Sequence, residues 1–461
     1  MTTKEKSTLS RRSFLSSAAV VGAAGATGAI GAGGLLTSCN GASSEKLIPL
    51  RPVSEYHVPL ELPDKAIDGR PLRAALIGTG ARGTGTANDF LNAGDDLSII
   101  ALADIFPDRM EGCRNRLRGR ENEIPDENCF LGFEAYKQAI DVPGVDVVLI
   151  ASPSIFHPDQ VKYAIDKGKH VFCEKAACID AVGYRTFMMA VRQAQSAGLS
   201  LVTGTQRHHD RGYIESYKRV QEGYIGRITS ANLYWNQGHM GFARRRPEWT
   251  DMEYMLRDFF SWNWLCGDHV IDQGVHNIDV FTWFSHLKPV RVIGMGSQLR
   301  RISGDIYDNF SIDLEYEGGV HVHCMARQID NCDNRVCEII QGTKGSWDSR
   351  GQVIRDLDQN EIWRFDGEAF GEIYQQNNPY VLEYVDLVNS IRKGLVLNFA
   401  EVTAISSMAG TMARESAYSG KEVTWEDMIN SPLNLMPDEL HLGNVDMSKF
   451  APPLPGTSPT W

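Results

Sequence analysis

The chain has 461 residues and a formal net charge of −12, with 58 acidic side chains against 46 basic ones. An acidic chain without a long basic run argues against nucleic acid as a partner, and the length suffices for two domains with separate cores. Nine cysteines show no paired zinc-type spacing, and Cys173/Cys178 and Cys332/Cys337 are isolated pairs, so buried free thiols and no metal are expected.

The first element is a leader. Lys4 and Lys6 precede Ser10-Arg11-Arg12-Ser13-Phe14-Leu15, and a long Ala/Gly/Val stretch then ends at Leu36-Thr37-Ser38-Cys39. Paired arginines before a mildly apolar run resemble a twin-arginine export signal. The Leu-Thr-Ser-Cys end resembles a lipoprotein cleavage site, with Cys39 as the lipid attachment point. A membrane-spanning anchor is the competing reading, weakened by the glycines that dilute the run. A periplasmic address is expected, with membrane contact only through a lipid on Cys39. Export of an already folded protein implies a cofactor loaded beforehand.

Residues 40–70 are polar and punctuated by Pro49, Pro52, Pro59 and Pro63, which reads as a tether. Short apolar strands then alternate with helical patterns at 72–77, 97–103, 146–151 and 170–173, predicting a doubly wound parallel sheet over 71–180. From 181 to 430 the alternation lengthens. Strand character at 228–235, 290–298, 309–316, 320–327 and 335–341, with turn signals at Glu317-Gly318-Gly319 and Thr343-Lys344-Gly345, predicts an α+β domain with a large, mostly antiparallel open sheet. Late helices are expected at 379–393 and 401–419. The proline-rich end, 431–461, reads as an extended arm.

Gly78-Thr79-Gly80-Ala81-Arg82-Gly83 follows the first strand directly and opens a helix. Such a turn brings backbone, including Ala81 and Arg82, against a pyrophosphate, with the helix N-terminus adding positive charge. The second strand ends in Asp104, whose carboxylate suits a ribose 2′-hydroxyl and repels a 2′-phosphate. NAD is therefore expected rather than NADP.

Two further runs carry a family resemblance. Ile150-Ala151-Ser152-Pro153-Ser154-Ile155-Phe156-His157, followed by Gly168-Lys169-His170-Val171-Phe172-Cys173-Glu174-Lys175-Ala176, resembles the glucose–fructose oxidoreductase/inositol dehydrogenase (Gfo/Idh/MocA) superfamily. Members carry Glu-Lys-Pro where this chain has Glu174-Lys175-Ala176. Their third signature, an aspartate four residues before a histidine, reads here as Asp272 and His276 within Gly267-Asp268-His269-Val270-Ile271-Asp272-Gln273-Gly274-Val275-His276. At helical spacing His269, Asp272, Gln273 and His276 share a face. On residues alone, Asp272 and His276 could equally be a cap, an ion pair or half a metal site.

The resemblance implies Ser152, Pro153, His157, Glu174, Lys175 and Gln206 on the cofactor side, and Arg207 or His208 near substrate. It implies His276 as general base, Asp272 as its orienting partner, and Lys175 as the cation beside the developing alkoxide. Trp235, Trp249, Trp262, Trp264 and Trp283, interleaved with polar groups, could be core, interface or, for one or two such as Trp264, sugar contacts. A sugar or glycoside oxidoreductase with an NAD recycled in place, forming a 3-keto product, is the expected activity. The alternatives are an NAD-dependent glycosidase like glycoside hydrolase family 109, whose branch replaces the lysine motif, and a non-catalytic sugar-binding protein. By analogy with relatives a homo-oligomer, dimer or tetramer, is expected.

Overall fold

Short aliphatic runs closed by Gly, Asp or Pro form a parallel sheet buried on both faces. In the computed structural model, which describes residues 62–120 and 122–457, they are β1 (Leu72–Ile77), β2 (Leu97–Asp104), β3 (Cys129–Leu131), β4 (Val147–Ile150), β5 (His170–Cys173) and β6 (Leu201–Thr203). Their order is β3-β2-β1-β4-β5-β6, with every pairing parallel. Strand order reverses between β1 and β4, so a crevice opens beyond their carboxyl ends. The expected leader, with Arg11, Arg12 and Cys39, and most of the expected tether lie outside the described residues.

The parallel layer runs past residue 180. Helix Ala181–Ala197 leads into β6, and helix Pro379–Lys393 returns late in the chain to cover the same layer. There the Tyr384 ring meets Phe172 at 4.4 Å and Phe90 at 6.2 Å.

The second sheet contains β7 (Ile228–Gln237), β8 (Pro289–Ser297), β9 (Asn309–Tyr316), β10 (Val320–Gln328), β11 (Arg335–Gly342), β12 (Gly345–Asp348), β13 (Val353–Asp356), β14 (Glu361–Arg364) and β15 (Val423–Thr424). Their order is β14-β13-β12-β11-β7-β10-β9-β8-β15, and only β7 with β10 pairs in parallel. Both turn signals join antiparallel neighbours, with Gly318 and Gly319 at φ 77° and 71°. Along β10, Val320, Val322, Cys324 and Ala326 point inward and the residues between them outward, the period of a half-covered sheet.

One helix joins the two cores. Ala400–Ser419 is buried along almost its whole length, which its small residues permit. Ala400 and Ala404 pack in the parallel layer, while Met408, Met412 and Ala417 pack under the second sheet. Its hydroxyls bind across both layers: Ser407 Oγ accepts from Ala177 N at 3.1 Å, and Ser416 Oγ from Gly294 N at 2.9 Å. The described part of the C-terminal stretch, which includes a short turn at Met447–Lys449, packs against the body through Leu433, Leu435, Val445 and Phe450.

Trp283 sits at the centre of the second core, stacked at 4.8 Å on Tyr217 and at 4.3 Å on His208. Trp283→Ala should cost about 4 kcal/mol, because a ring-sized void cannot close among such stacked neighbours. Equilibrium denaturation of the variant checks this.

Candidate active site

A cavity of about 350 Å³ opens at the carboxyl edge of the parallel sheet, beyond the ends of β1 and β4. The loops after β1, β2, β3 and β4 line it, bringing Gly78, Gly80, Arg82, Asp104, Phe133 and Ser152 to one wall. The three glycines of the first loop are required for different reasons. Gly78 has φ 84°, and a Cβ there would stand 2.7 Å from the Ala151 carbonyl oxygen. A Cβ on Gly83 would overlap the Gly78 carbonyl oxygen. Gly80 is different: its nearest neighbours across the gap are Arg109 atoms at 4.0 Å, so the protein itself leaves that space open. A cradle that the fold does not fill, at a helix N-terminus, fits a dinucleotide pyrophosphate.

Asp104 is 9% exposed and already holds three donors. Its Oδ2 accepts from Thr79 N at 2.6 Å and Thr79 Oγ1 at 2.7 Å, and its Oδ1 from Phe106 N at 2.8 Å. These bonds fix the carboxylate against the cavity, and a ribose hydroxyl would add one more donor. His157 departs from the cofactor role expected of it. Its two ring nitrogens face the carbonyl oxygens of Ala176 at 2.7 Å and Ser152 at 2.8 Å, so it ties the β4 and β5 loops together inside the protein.

The loops after β5 and β6 continue along the same edge. Arg82 reaches from the glycine loop to Glu174 Oε1 at 2.5 Å, with Glu383 at 3.4 Å and Asp89 at 3.7 Å. Burial and the surrounding carboxylates push the Glu383 carboxyl up, against the pull of Arg82. The peptide between Lys175 and Ala176 is cis. Lys175 Nζ donates to the backbone oxygen of Asp272 and, at 3.2 Å, to Asp272 Oδ1. Gln206 Nε2 lies 3.3 Å from the Tyr380 hydroxyl, while its buried Oε1 has no partner among the described residues.

Asp272 and His276 do not pair as expected. The carbonyl of His269 receives both Gln273 N–H at 3.0 Å and Gly274 N–H at 3.1 Å, and the helix restarts at Val275. That extra residue breaks the four-residue face on which the expectation rested. Asp272 turns to Lys175 and to Gln273 Nε2 at 2.7 Å. The His276 ring stacks on Trp235, centroids 5.2 Å apart. Burial first, then the positive charges of Lys175, Arg207 and Arg82, hold the His276 imidazole well below its ordinary range. It is thus a neutral acceptor in a cationic field, the reverse of one charged with help from Asp272.

The expected substrate residues divide. Arg207 donates to Glu338 Oε1 at 2.5 Å and Asn277 Oδ1 at 3.1 Å and lies over the Trp235 ring, on which His276 also stacks. His208 is withdrawn into the core, its Nε2 against Asp279 Oδ2 at 2.5 Å. His269 is buried between Trp235 O and Gln328, and burial lowers it to about 4. Trp264 stands behind Phe156, rings 6.4 Å apart, backing the dinucleotide cavity. Leu256, Phe259 and Phe260 in the cavity wall were not foreseen, since nothing local marks residues that arrive from the other half of the chain.

Comparisons with known proteins place the chain in a family. Residues 72–198 match the GFO/IDH/MocA oxidoreductase family with its NAD-binding Rossmann fold, and residues 213–348 match the GFO/IDH/MocA C-terminal domain. The chain is 29% identical to the myo-inositol 2-dehydrogenase of Thermotoga maritima over 76% of its own length and 96% of that protein. It is 22% identical to the scyllo-inositol 2-dehydrogenase (NAD(+)) of Bacillus subtilis over 60% of its length and 72% of that protein. Two solved structures share the fold at 21% identity. The scyllo-inositol dehydrogenase of Lactobacillus casei with bound NAD(H) and scyllo-inositol has a TM-score of 0.59 over 77% of this chain and 99% of that one. The aldose-aldose oxidoreductase of Caulobacter crescentus with glycerol has a TM-score of 0.59 over 77% and 100%.

The glycine geometry yields a contrast. Gly80→Ala should fold with an unchanged melting temperature yet lose NAD affinity at least tenfold, because its methyl occupies only the open cradle. Gly83→Ala should lose about 3 kcal/mol of stability, because its methyl meets backbone. Thermal melts and NAD titrations of both variants check the pair.

Proposed function

Because the chain belongs to the GFO/IDH/MocA oxidoreductase family and is an NAD-dependent enzyme, we propose that it oxidises a secondary hydroxyl on a carbohydrate ring. The substrate class is a sugar or glycoside, with the cyclic polyols of its named relatives inside the same chemistry. A 3-keto sugar is the expected product. The expected leader adds that the reaction takes place after export, with a cofactor that stays bound and is restored in place. The observation that carries the reading is one cluster. Lys175 is anchored on Asp272, and a neutral His276 lies in the field of that lysine and of Arg82, which lines the glycine-loop cavity.

Gly78, Gly80, Ala81, Arg82 and Asp104 would hold the phosphates and ribose, and the unpartnered Gln206 Oε1 would accept from the nicotinamide amide. The bound cofactor supplies a hydride acceptor. The protein must deal with the hydroxyl proton, which leaves an alcohol unaided only at extreme pH. His276 accepts that proton at a ring nitrogen. Lys175 donates to the same oxygen as its negative charge develops, which lowers the barrier where the charge forms. Asp272 and Gln273 keep the ammonium aimed. Once charged, His276 is repelled by Lys175, Arg207 and Arg82 and gives its proton up readily. A base that returns its proton suits a cycle in which a second carbonyl is reduced on the same cofactor.

Purified protein, given no added cofactor, should develop a reduced-nicotinamide absorbance with its sugar and lose it with a keto-sugar. With an aryl glycoside, a 3-keto product supports this reading, and plain sugar plus aglycone supports the glycosidase. His276→Ala and Lys175→Ala should retain dinucleotide and lose turnover by roughly two to four powers of ten. Full activity in either variant contradicts the assignment. The acid limb of kcat/KM should fall below pH 6.5, since burial and neighbouring cations depress the His276 imidazole and delay its protonation as pH falls. A pH–rate profile with its acid limb at or above that value would contradict it.

A further inference from the structure

The dinucleotide cavity has a wall that the parallel layer does not supply. Leu256, Phe259 and Phe260 come from the segment Asp251–Ser261, in the half of the chain that carries the second sheet. Their neighbour Arg257 stacks on Phe106, two residues from Asp104, so they line the cavity at the end where an adenosine would lie. Three apolar side chains over that end exclude water from the least polar part of a dinucleotide.

The segment is fastened on two sides. Toward the parallel layer, Arg257 donates in fork fashion to Asp108, Nη2 to Oδ1 at 2.8 Å and Nη1 to Oδ2 at 3.1 Å. Its guanidinium lies 3.9 Å from the centroid of the Phe106 ring and 4.9 Å from that of Trp249, and its Nε donates to Glu253 at 3.0 Å. Phe106 is the residue whose N–H holds Asp104, so one short path links the segment to the ribose carboxylate. Away from that layer, Met252 N donates to Gly443 O at 3.0 Å and Val445 N to Asp251 Oδ2 at 3.2 Å. Trp262 meets Phe450 edge-on at 6.0 Å. The C-terminal stretch thus braces the segment from outside.

An isolated surface ion pair is worth little, but this one is bidentate, stacked on an aromatic ring and only 14% exposed on the arginine side. Asp108 itself is 62% exposed, so it has no core role that would require the pair. We propose that Asp251–Ser261 is a strap that retains the dinucleotide, with Arg257 and Asp108 as its clasp and Leu256, Phe259 and Phe260 as its inner face. This rests on the reading that the cofactor is recycled without leaving. It gives that reading a physical means, since release then requires the clasp to open.

The test is the release rate of the dinucleotide from the full chain. Protein loaded with NADH is mixed with excess NAD, and loss of nicotinamide fluorescence is followed for wild type, Asp108→Asn, Arg257→Met, and Phe259→Ala with Phe260→Ala. Each variant should release at least tenfold faster, about 1.4 kcal/mol, with an unchanged melting temperature for the exposed Asp108→Asn. Release at the wild-type rate from all the variants overturns the strap. Fast release from wild type itself counts against in-place recycling, and the ratio of variant to wild-type rates still decides the strap.

Discussion

The contact on which the site depends is that between Lys175 and Asp272. Lys175 leaves the carboxyl end of β5 in the parallel layer, and Asp272 belongs to the half of the chain beneath the second sheet. Both are largely buried, with side chains 14% and 8% exposed. Desolvation makes such a pair poor at stabilising a fold for its own sake, yet losing one partner leaves the other charged and alone, at about 3–5 kcal/mol. The pair therefore specifies geometry more than stability. It anchors a cation whose field reaches His276.

Around that contact the charges are arranged asymmetrically. Arg82 is surrounded by Glu174, Glu383 and Asp89, and Arg207 is neutralised by Glu338, so most positive charge near the crevice is committed to anchoring. Among the described residues His276 receives no such carboxylate. It is buried and stacked on Trp235, and burial first, with the charges of Lys175, Arg207 and Arg82 behind it, holds its imidazole well below the ordinary range. In the proposed reaction, a neutral base in the field of an anchored ammonium would take its proton as negative charge forms on the alcohol oxygen.

Much of this was readable in the sequence where the signal is local. The glycine loop sits between a strand and a helix, and Asp104 closes the second strand as expected. The long helix at 379–393 is bounded as its Pro379 and Gly394 predict. The three-residue strands β3 and β6 are too short to show a period, and only their neighbours make them strands. His157 and His208 look like site residues from position alone. Partners remote in sequence, Ala176 and Asp279, turn them inward. Asp272 and His276 share a face only in a regular helix, and the doubled bond to the His269 carbonyl removes that regularity. The wall from Leu256 to Phe260 carries no local mark, because what makes it a cofactor wall is the tertiary placement of another segment.

The central claim is that one bound nicotinamide takes a hydride from a ring carbon and gives it back, while His276 handles only the proton. Mass spectrometry of the bound cofactor after one turnover, with a sugar deuterated at the oxidised carbon, tests this most directly. The account predicts that deuterium appears on the bound reduced cofactor and then on the carbinol carbon of a reduced keto-sugar, without washing out into water. Deuterium lost to solvent, or a cofactor that acquires none, would contradict it.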